Sequence, residues 1–172
     1  METIQSTASN IQPASLSSAQ GGSELQLVSF RVGTEEFGLE ILRVHEIIRV
    51  QNLTRVPNMP AFVEGVINLR GKVIPVISLR SWFGLERSAH DKSTRIIVVE
   101  IQGNILGFIV DSVSEVLRIS NDTVEPPPRM GKVERDYISG VGKLDSRLLL
   151  LLDVDRLLSE SEEITCSQMA KA

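Results

Sequence analysis

The chain contains a diluted copy of itself. At an offset of 69, Leu27 to Ile48 (LVSFRVGTEEFGLEILRVHEII) lies over Ile96 to Leu117 (IIVVEIQGNILGFIVDSVSEVL): Gly38 meets Gly107, Val44 meets Val113 and Glu46 meets Glu115. At an offset of 75, Phe62 to Leu79 (FVEGVINLRGKVIPVISL) lies over Tyr137 to Val154 (YISGVGKLDSRLLLLLDV): Gly65 meets Gly140, Val66 meets Val141, Leu69 meets Leu144, and the turn Arg70-Gly71 meets Asp145-Ser146. The extra length of the second copy falls in ISNDTVEPPPRMGKVERD, whose three consecutive prolines cannot occupy a central strand. Two matched segments in the same order, with the insertion confined to a Pro-rich connector, favour duplication over chance alignment.

Inside each copy the apolar residues recur with period two or in β-branched runs rather than at 3.6. LQLVSFRV (25 to 32), FGLEI (37 to 41), VEGVINL (63 to 69), KVIPVISL (72 to 79), RIIVVEI (95 to 101), ILGFIV (105 to 110) and RLLLLLDV (147 to 154) read as strands, separated by GTEE, LRGK, QGN and LDSR. Leu148 to Leu152 is helical by propensity, but its place in the repeat assigns it to a strand. Short helical turns fit Pro60 to Val63 and Leu79 to Gly84, and a longer helix fits Val154 to Ser159. Many short strands with tight turns indicate a sandwich or barrel, and about five strands in ~70 residues close most easily as a small barrel. The expectation is an all-β protein of two small barrels packed side by side, with a shared core or groove between them. Residues 24–159 would form this unit, divided at about 25–90 and 91–159, with the chain free to cross between the barrels. Residues 1–23, rich in Ser, Gln and Gly, and the tail 160–172 bury too little apolar surface to offset their ordering entropy and are expected to be disordered.

Composition removes most chemistries. With two His and one Cys in 172 residues, a metal centre or a nucleophilic triad lacks its usual parts. A net charge of −4 argues against a nucleic-acid surface. No apolar run approaches the 18 or so residues of a membrane span, and the first 23 residues do not read as a signal peptide. A reducing, cytoplasmic setting follows as the simplest expectation.

The remaining constellations are weak as chemistry. His45-Glu46-Ile47-Ile48-Arg49 begins like the zinc motif H-E-x-x-H but lacks the second His. Gly140-Val141-Gly142-Lys143 lacks the spacing of a phosphate loop and is followed by a turn and a strand. Asp153 with Asp155, and Glu162 with Glu163, have no His or Lys set beside them, and Cys166 falls in the tail. Three features survive as candidates for contact, one of them the strand edges that paired barrels would expose as a natural surface for partner sheets. Asn68-Leu69-Arg70-Gly71-Lys72 is a hairpin tip presenting a long planar donor, although a solvated turn arginine would read the same way. In Val44-His45-Glu46-Ile47, strand alternation places Val44 and Glu46 on one face, either as a plain surface pair or as an interface with a charged anchor.

These stretches resemble the CheW chemotaxis coupling proteins. The resemblance is carried by FGLEILRVHEII (37 to 48), RVPNMPAFVEGVINLRGKVIPVISLR (55 to 80), LGFIVDSVSEVL (106 to 117) and YISGVGKLDSRLLLLLDVDRLL (137 to 158), and covers about Leu25 to Leu158. It implies two five-stranded SH3-like β-barrel subdomains with short helices, and a non-enzymatic adaptor without metal or cofactor. Such an adaptor joins the regulatory domain of the histidine kinase CheA to the cytoplasmic tip of methyl-accepting chemoreceptors, whose tip packs into the groove between the barrels. It would be a cytoplasmic monomer outside the array, recruited to receptor arrays without inserting into the membrane. By motif position the resemblance assigns Val44, Glu46 and Arg70, with Gly107 and Val113 from the second copy, to receptor binding. Gly65, Gly71 and Gly140 are assigned to kinase binding or to the turns they permit. Two alternatives stay open: an adaptor of the same fold in a twitching-type receptor-kinase pathway, and a small-ligand-binding barrel protein.

Overall fold

Tight turns set the strand register. The computed structural model describes residues 24–86, 88–101, 103–127 and 137–157, so the expectations for 1–23 and 160–172 lie outside the described residues. Strands β4 (Val63–Leu69) and β5 (Lys72–Ser78) pair through Leu69 and Lys72, leaving only Arg70 and Gly71 in the loop. Both loop residues have positive φ, 51° and 86°, the backbone that two-residue hairpins need and that glycine adopts without cost. Asn68 Oδ1 accepts the Gly71 N–H at 2.9 Å and holds the turn. The hairpins of β1 (Glu24–Val32) with β2 (Glu35–Glu40), and of β6 (Arg95–Ile101) with β7 (Asn104–Val110), close on Gly33 and Gly103 at φ 66° and 84°.

The other strands are β3 (Val44–Arg49), β8 (Ser112–Ser120), the two-residue β9 (Val124–Glu125), β10 (Ile138–Lys143) and β11 (Leu148–Leu152). A four-residue helix α1 (Leu79–Trp82) follows β5, and a helix α2 begins after β11 and is described over 154–157. The strands form two sheets, ordered β8-β1-β2-β11-β10-β9 and β3-β6-β7-β5-β4, which gives the all-β architecture in two units. Strands β8 and β10 are absent from the aliphatic runs read in the sequence, because Ser, Glu and Arg break up SVSEVLRIS and two glycines break up ISGVGK.

The repeat explains the sheet orders. Under it β1, β2, β3, β4 and β5 correspond to β6, β7, β8, β10 and β11, so both sheets have the same order. Each sheet takes its central hairpin from one copy and its remaining strands from the other. The first sheet therefore combines 24–40 with 112–152, while the second is contained in 44–110. Division at about 90/91 marks the boundary between copies but not between sheets. The chain crosses over at Ile41–Arg43, a 3-10 turn, and at Asp111.

In both sheets the chain leaving one edge strand bonds the opposite edge. β9 follows β8 after the 3-10 turn Asn121–Thr123 and pairs with β10. In the second sheet Thr54, downstream of β3, exchanges two backbone hydrogen bonds with Val66 of β4, at 2.9 and 2.8 Å. Each set of pairings thus runs round in a ring, which leaves few strand groups unpaired.

Three apolar clusters fill the molecule. Leu27, Ile119, Leu149 and Leu151 pack inside the first ring, and Ile67, Ile74, Val76, Ile96, Val98 and Ile109 inside the second. The largest lies between the sheets and includes Phe30, Phe37, Leu39, Ile97, Val99, Phe108, Ile138 and Leu157. Each such side chain contributes about 1.5–3 kcal/mol of transfer free energy on burial. Six of the seven aromatic side chains touch in one series, Phe30, Phe37, Phe83, Tyr137, Trp82 and Phe62, with ring centroids 4.5–6.3 Å apart. The sequence allows a shared core or a groove between the barrels; the facing surfaces are packed into a core.

Candidate partner-binding face

The ring of the second sheet carries a seam between β3 and the β4–β5 hairpin, and two of the sequence candidates span it. The Arg70 guanidinium, projecting from the hairpin tip, grips the Glu46 carboxylate of β3 with both terminal nitrogens; Nη2 lies 2.7 Å from Oε2, and Nη1 bonds Oε1. The planar fork matches the carboxylate geometry, the arrangement in which arginine cannot be replaced by lysine without loss. Arg70 remains 68% exposed while Glu46 is 21% exposed. The hydrogen bond from Arg70 holds the Glu46 carboxyl below its ordinary value, against partial desolvation that acts in the opposite sense. The same bond raises the Arg70 guanidinium further. Because the folded Glu46 value is depressed, the pair's stabilisation is present above the unfolded carboxylate range and is lost as pH falls through the folded value.

Val44 and Glu46 do not share a face. A β-bulge between them pairs Val44 with Val99 and Glu46 with Val98, so the intervening His45 shifts the alternation by one. Val44 consequently packs against the core between the sheets, while Glu46 turns to the side that carries the inner cluster of the second ring. On the same stretch of chain Leu42 is 90% exposed in the crossover turn, and Ile47 is exposed on β3, on the face opposite Glu46. His45 is within 3.5 Å of Glu100 on the neighbouring strand.

The other candidates lie elsewhere. Gly107 is buried, and a Cβ there would come within 2.7 Å of Ile96 Cγ2, so its place is inside the ring rather than on a contact surface. Val113 lies on β8 of the first sheet, opposite Phe30, half-buried against the central core in the way Val44 is in the second. Gly71 occupies the hairpin turn, whereas Gly65 and Gly140 stand at bulges inside β4 and β10 and form no turn. A Cβ on Gly65 would lie 2.5 Å from the Thr54 carbonyl oxygen; one on Gly140 would lie 2.8 Å from Val124 Cγ1. These glycines permit the close approach that joins the ring.

Three of the repeated identities, Gly38/Gly107, Glu46/Glu115 and Gly65/Gly140, fall in one matching row of each sheet. Glu46, Val98, Gly107, Val76 and Gly65 are successive register partners across the second sheet. Glu115, Ser29, Gly38, Leu151 and Gly140 form the corresponding row in the first. Glu115 also has an arginine, Arg147, whose Nη2 donates to Oε2 at 3.1 Å; Arg147 Nε is 3.3 Å from Oε1 of the buried Glu36. Sequence reasoning missed Arg147 because the turn alignment sets Asp145 against Arg70. The signal was two residues further on, where Arg147 takes the place of Lys72.

Among the described residues no group of three His, Cys, Asp or Glu side chains could hold a metal ion, and no helix is long and apolar enough to cross a membrane. A hollow of about 190 Å³ lined in part by Glu64, Arg80, His90, Asp91 and Asp111 is polar, with Arg80 and Asp111 bonded to each other. The arrangement offers contact chemistry: an exposed charged pair with aliphatic neighbours on a rigid sheet.

The family model described as CheW-like domain matches residues 26–162. The chemotaxis protein CheW of Helicobacter pylori is 39% identical over 149 residues, which is 86% of this chain and 90% of that protein. The chemotaxis protein CheW of Klebsiella aerogenes is 36% identical over 148 residues, 86% of this chain and 89% of that protein. The crystal structure of the scaffolding protein TtCheW from Thermoanaerobacter tengcongensis superposes with a TM-score of 0.70 at 40% identity, covering 74% of this chain and 88% of that one.

Proposed function

The chain belongs to the CheW-like domain family and is a non-enzymatic coupling adaptor of chemotaxis, and from that premise we propose that the Glu46–Arg70 seam is its receptor contact. The partners are the cytoplasmic tip of a chemoreceptor and the regulatory domain of a CheA-type kinase, met in the cytoplasm at a receptor array. The observation that carries this reading is the bidentate pair itself: it is exposed and held by two hydrogen bonds, and the same stretch of chain exposes Leu42 and Ile47. An amphipathic helical hairpin would cover the aliphatic rim, and its polar residues would meet the two charges, which set register. Gly107 supports the face from beneath by keeping the strands close, and Val113 supports the first sheet in the same way.

Arg70→Glu places two carboxylates at the seam while leaving every apolar cluster intact. Affinity for a receptor tip fragment should fall at least about tenfold, with kinase affinity and melting temperature unchanged. Receptor binding that survives this substitution would remove the seam from the contact.

A further inference from the structure

Each place where the chain passes between sheets is pinned by an ion pair, and the two pairs have opposite polarity. Beyond β2 the chain enters the second sheet through Ile41–Arg43, where Arg43 Nη2 donates to Asp155 Oδ2 of α2 at 2.8 Å. Beyond β7 it returns through Asp111, which accepts from Arg80 Nε of α1 at 2.9 Å and from the Gly33 N–H at 2.8 Å. α1 and α2 are counterparts: each follows the last strand of its copy, and Arg80 and Asp155 are each the second residue of their helix. One helix brings the cation to a crossover anion; the other brings the anion to a crossover cation.

Duplication makes a second pairing available, in which each copy lays its first hairpin against its own last strand, β2 beside β5 and β7 beside β11. Strand order would be preserved, and counterpart apolar faces would still meet. Burial is non-directional and discriminates poorly between the two arrangements. The clasps discriminate well. In the self-contained arrangement α1 would sit at the crossover after β2, bringing Arg80 to Arg43, and α2 at the crossover after β7, bringing Asp155 to Asp111. We infer that Arg43, Arg80, Asp111 and Asp155 are a charge code that selects the exchanged pairing, attractive in one arrangement and repulsive in the other. They are positioning residues: they decide which strands build each sheet.

The code can be made ambiguous without loss to the observed fold. Arg43→Asp with Asp155→Arg keeps both clasps complementary as they stand, yet makes both complementary in the self-contained arrangement too. The distinguishing contact is at Gly38, which lies opposite Leu151 here and would lie opposite Val76 in the alternative. After refolding from denaturant, cross-strand amide contacts measured by NMR should show two sets of Gly38 signals, one to Leu151 and one to Val76, where the unaltered chain shows only the first. A single set to Leu151 overturns the inference, since a merely stabilising role predicts that result. The inverted pair Arg80→Asp with Asp155→Arg should move the contacts predominantly to Val76; persistence of Leu151 contacts alone would overturn it equally.

Discussion

The two seams use the same strand positions to different ends. In the second sheet Glu46 and Arg70 bond across the seam, and Arg70 has no further acidic partner among the described residues. In the first sheet Arg147 bonds Glu115 and also stands against Glu36, whose side chain is only 7% exposed. A buried carboxylate requires its counter-charge, whereas an exposed pair is worth little to stability. Duplication therefore left one seam with an arginine tied to a buried carboxylate and the other with an arginine that is largely exposed. Similar chemistry in matching rows does not mean similar duty.

Two pairs of substitutions and one single substitution sharpen or break that contrast. The largest effect is expected where the rings join. Gly65→Ala drives a methyl group to 2.5 Å from the Thr54 carbonyl oxygen and should cost about 3 kcal/mol, while Gly140→Ala meets a valine methyl and stands 3.1 Å from the Glu125 carbonyl oxygen and should cost about 1 kcal/mol, both read by urea denaturation. Equal losses would mean that the two closures are equally tight. Next, Arg147→Leu should cost about 2 kcal/mol because Glu36 is left buried with its charge unmatched. Arg70→Leu should leave the melting curve where it was, and a matching loss there would show the second seam to be structural as well. The smallest effect concerns one hydroxyl. Ser29 occupies the row position held by Val98 in the other sheet, and its buried Oγ has no hydrogen-bond partner among the described residues. Ser29→Val should raise stability by about 1 kcal/mol in the same assay; a fall would show that the hydroxyl is satisfied in solution.

Local features were legible in the sequence to the extent that their causes are local. The Asn68–Lys72 hairpin and the aliphatic strands are set by turn chemistry and alternation, and they stand where the pattern places them. The exchange of hairpins was not legible, because β1 and β6 present interchangeable apolar patterns and nothing within either strand names its neighbour. The bulge at His45 has no compositional sign, so strand alternation put Val44 and Glu46 together when one extra residue separates their faces. At the candidate site, family resemblance pointed to Glu46 and Arg70 separately. That each is the other's partner emerges only when the ring brings the two edges of the sheet together.

Reciprocal exchange also defines what half of this chain could be. A single copy owns one central hairpin and one set of flanking strands, and in the present arrangement neither completes a sheet with the other. Two identical single-copy chains could complete both sheets by trading hairpins, each finishing its neighbour. The chain thus has the architecture of a symmetric dimer whose subunits have been joined in tandem, with the segment between α1 and β6 as the joint. Cutting that joint would yield two pieces that hold each other's exchanged strands, and such fragments should restore this arrangement only in company.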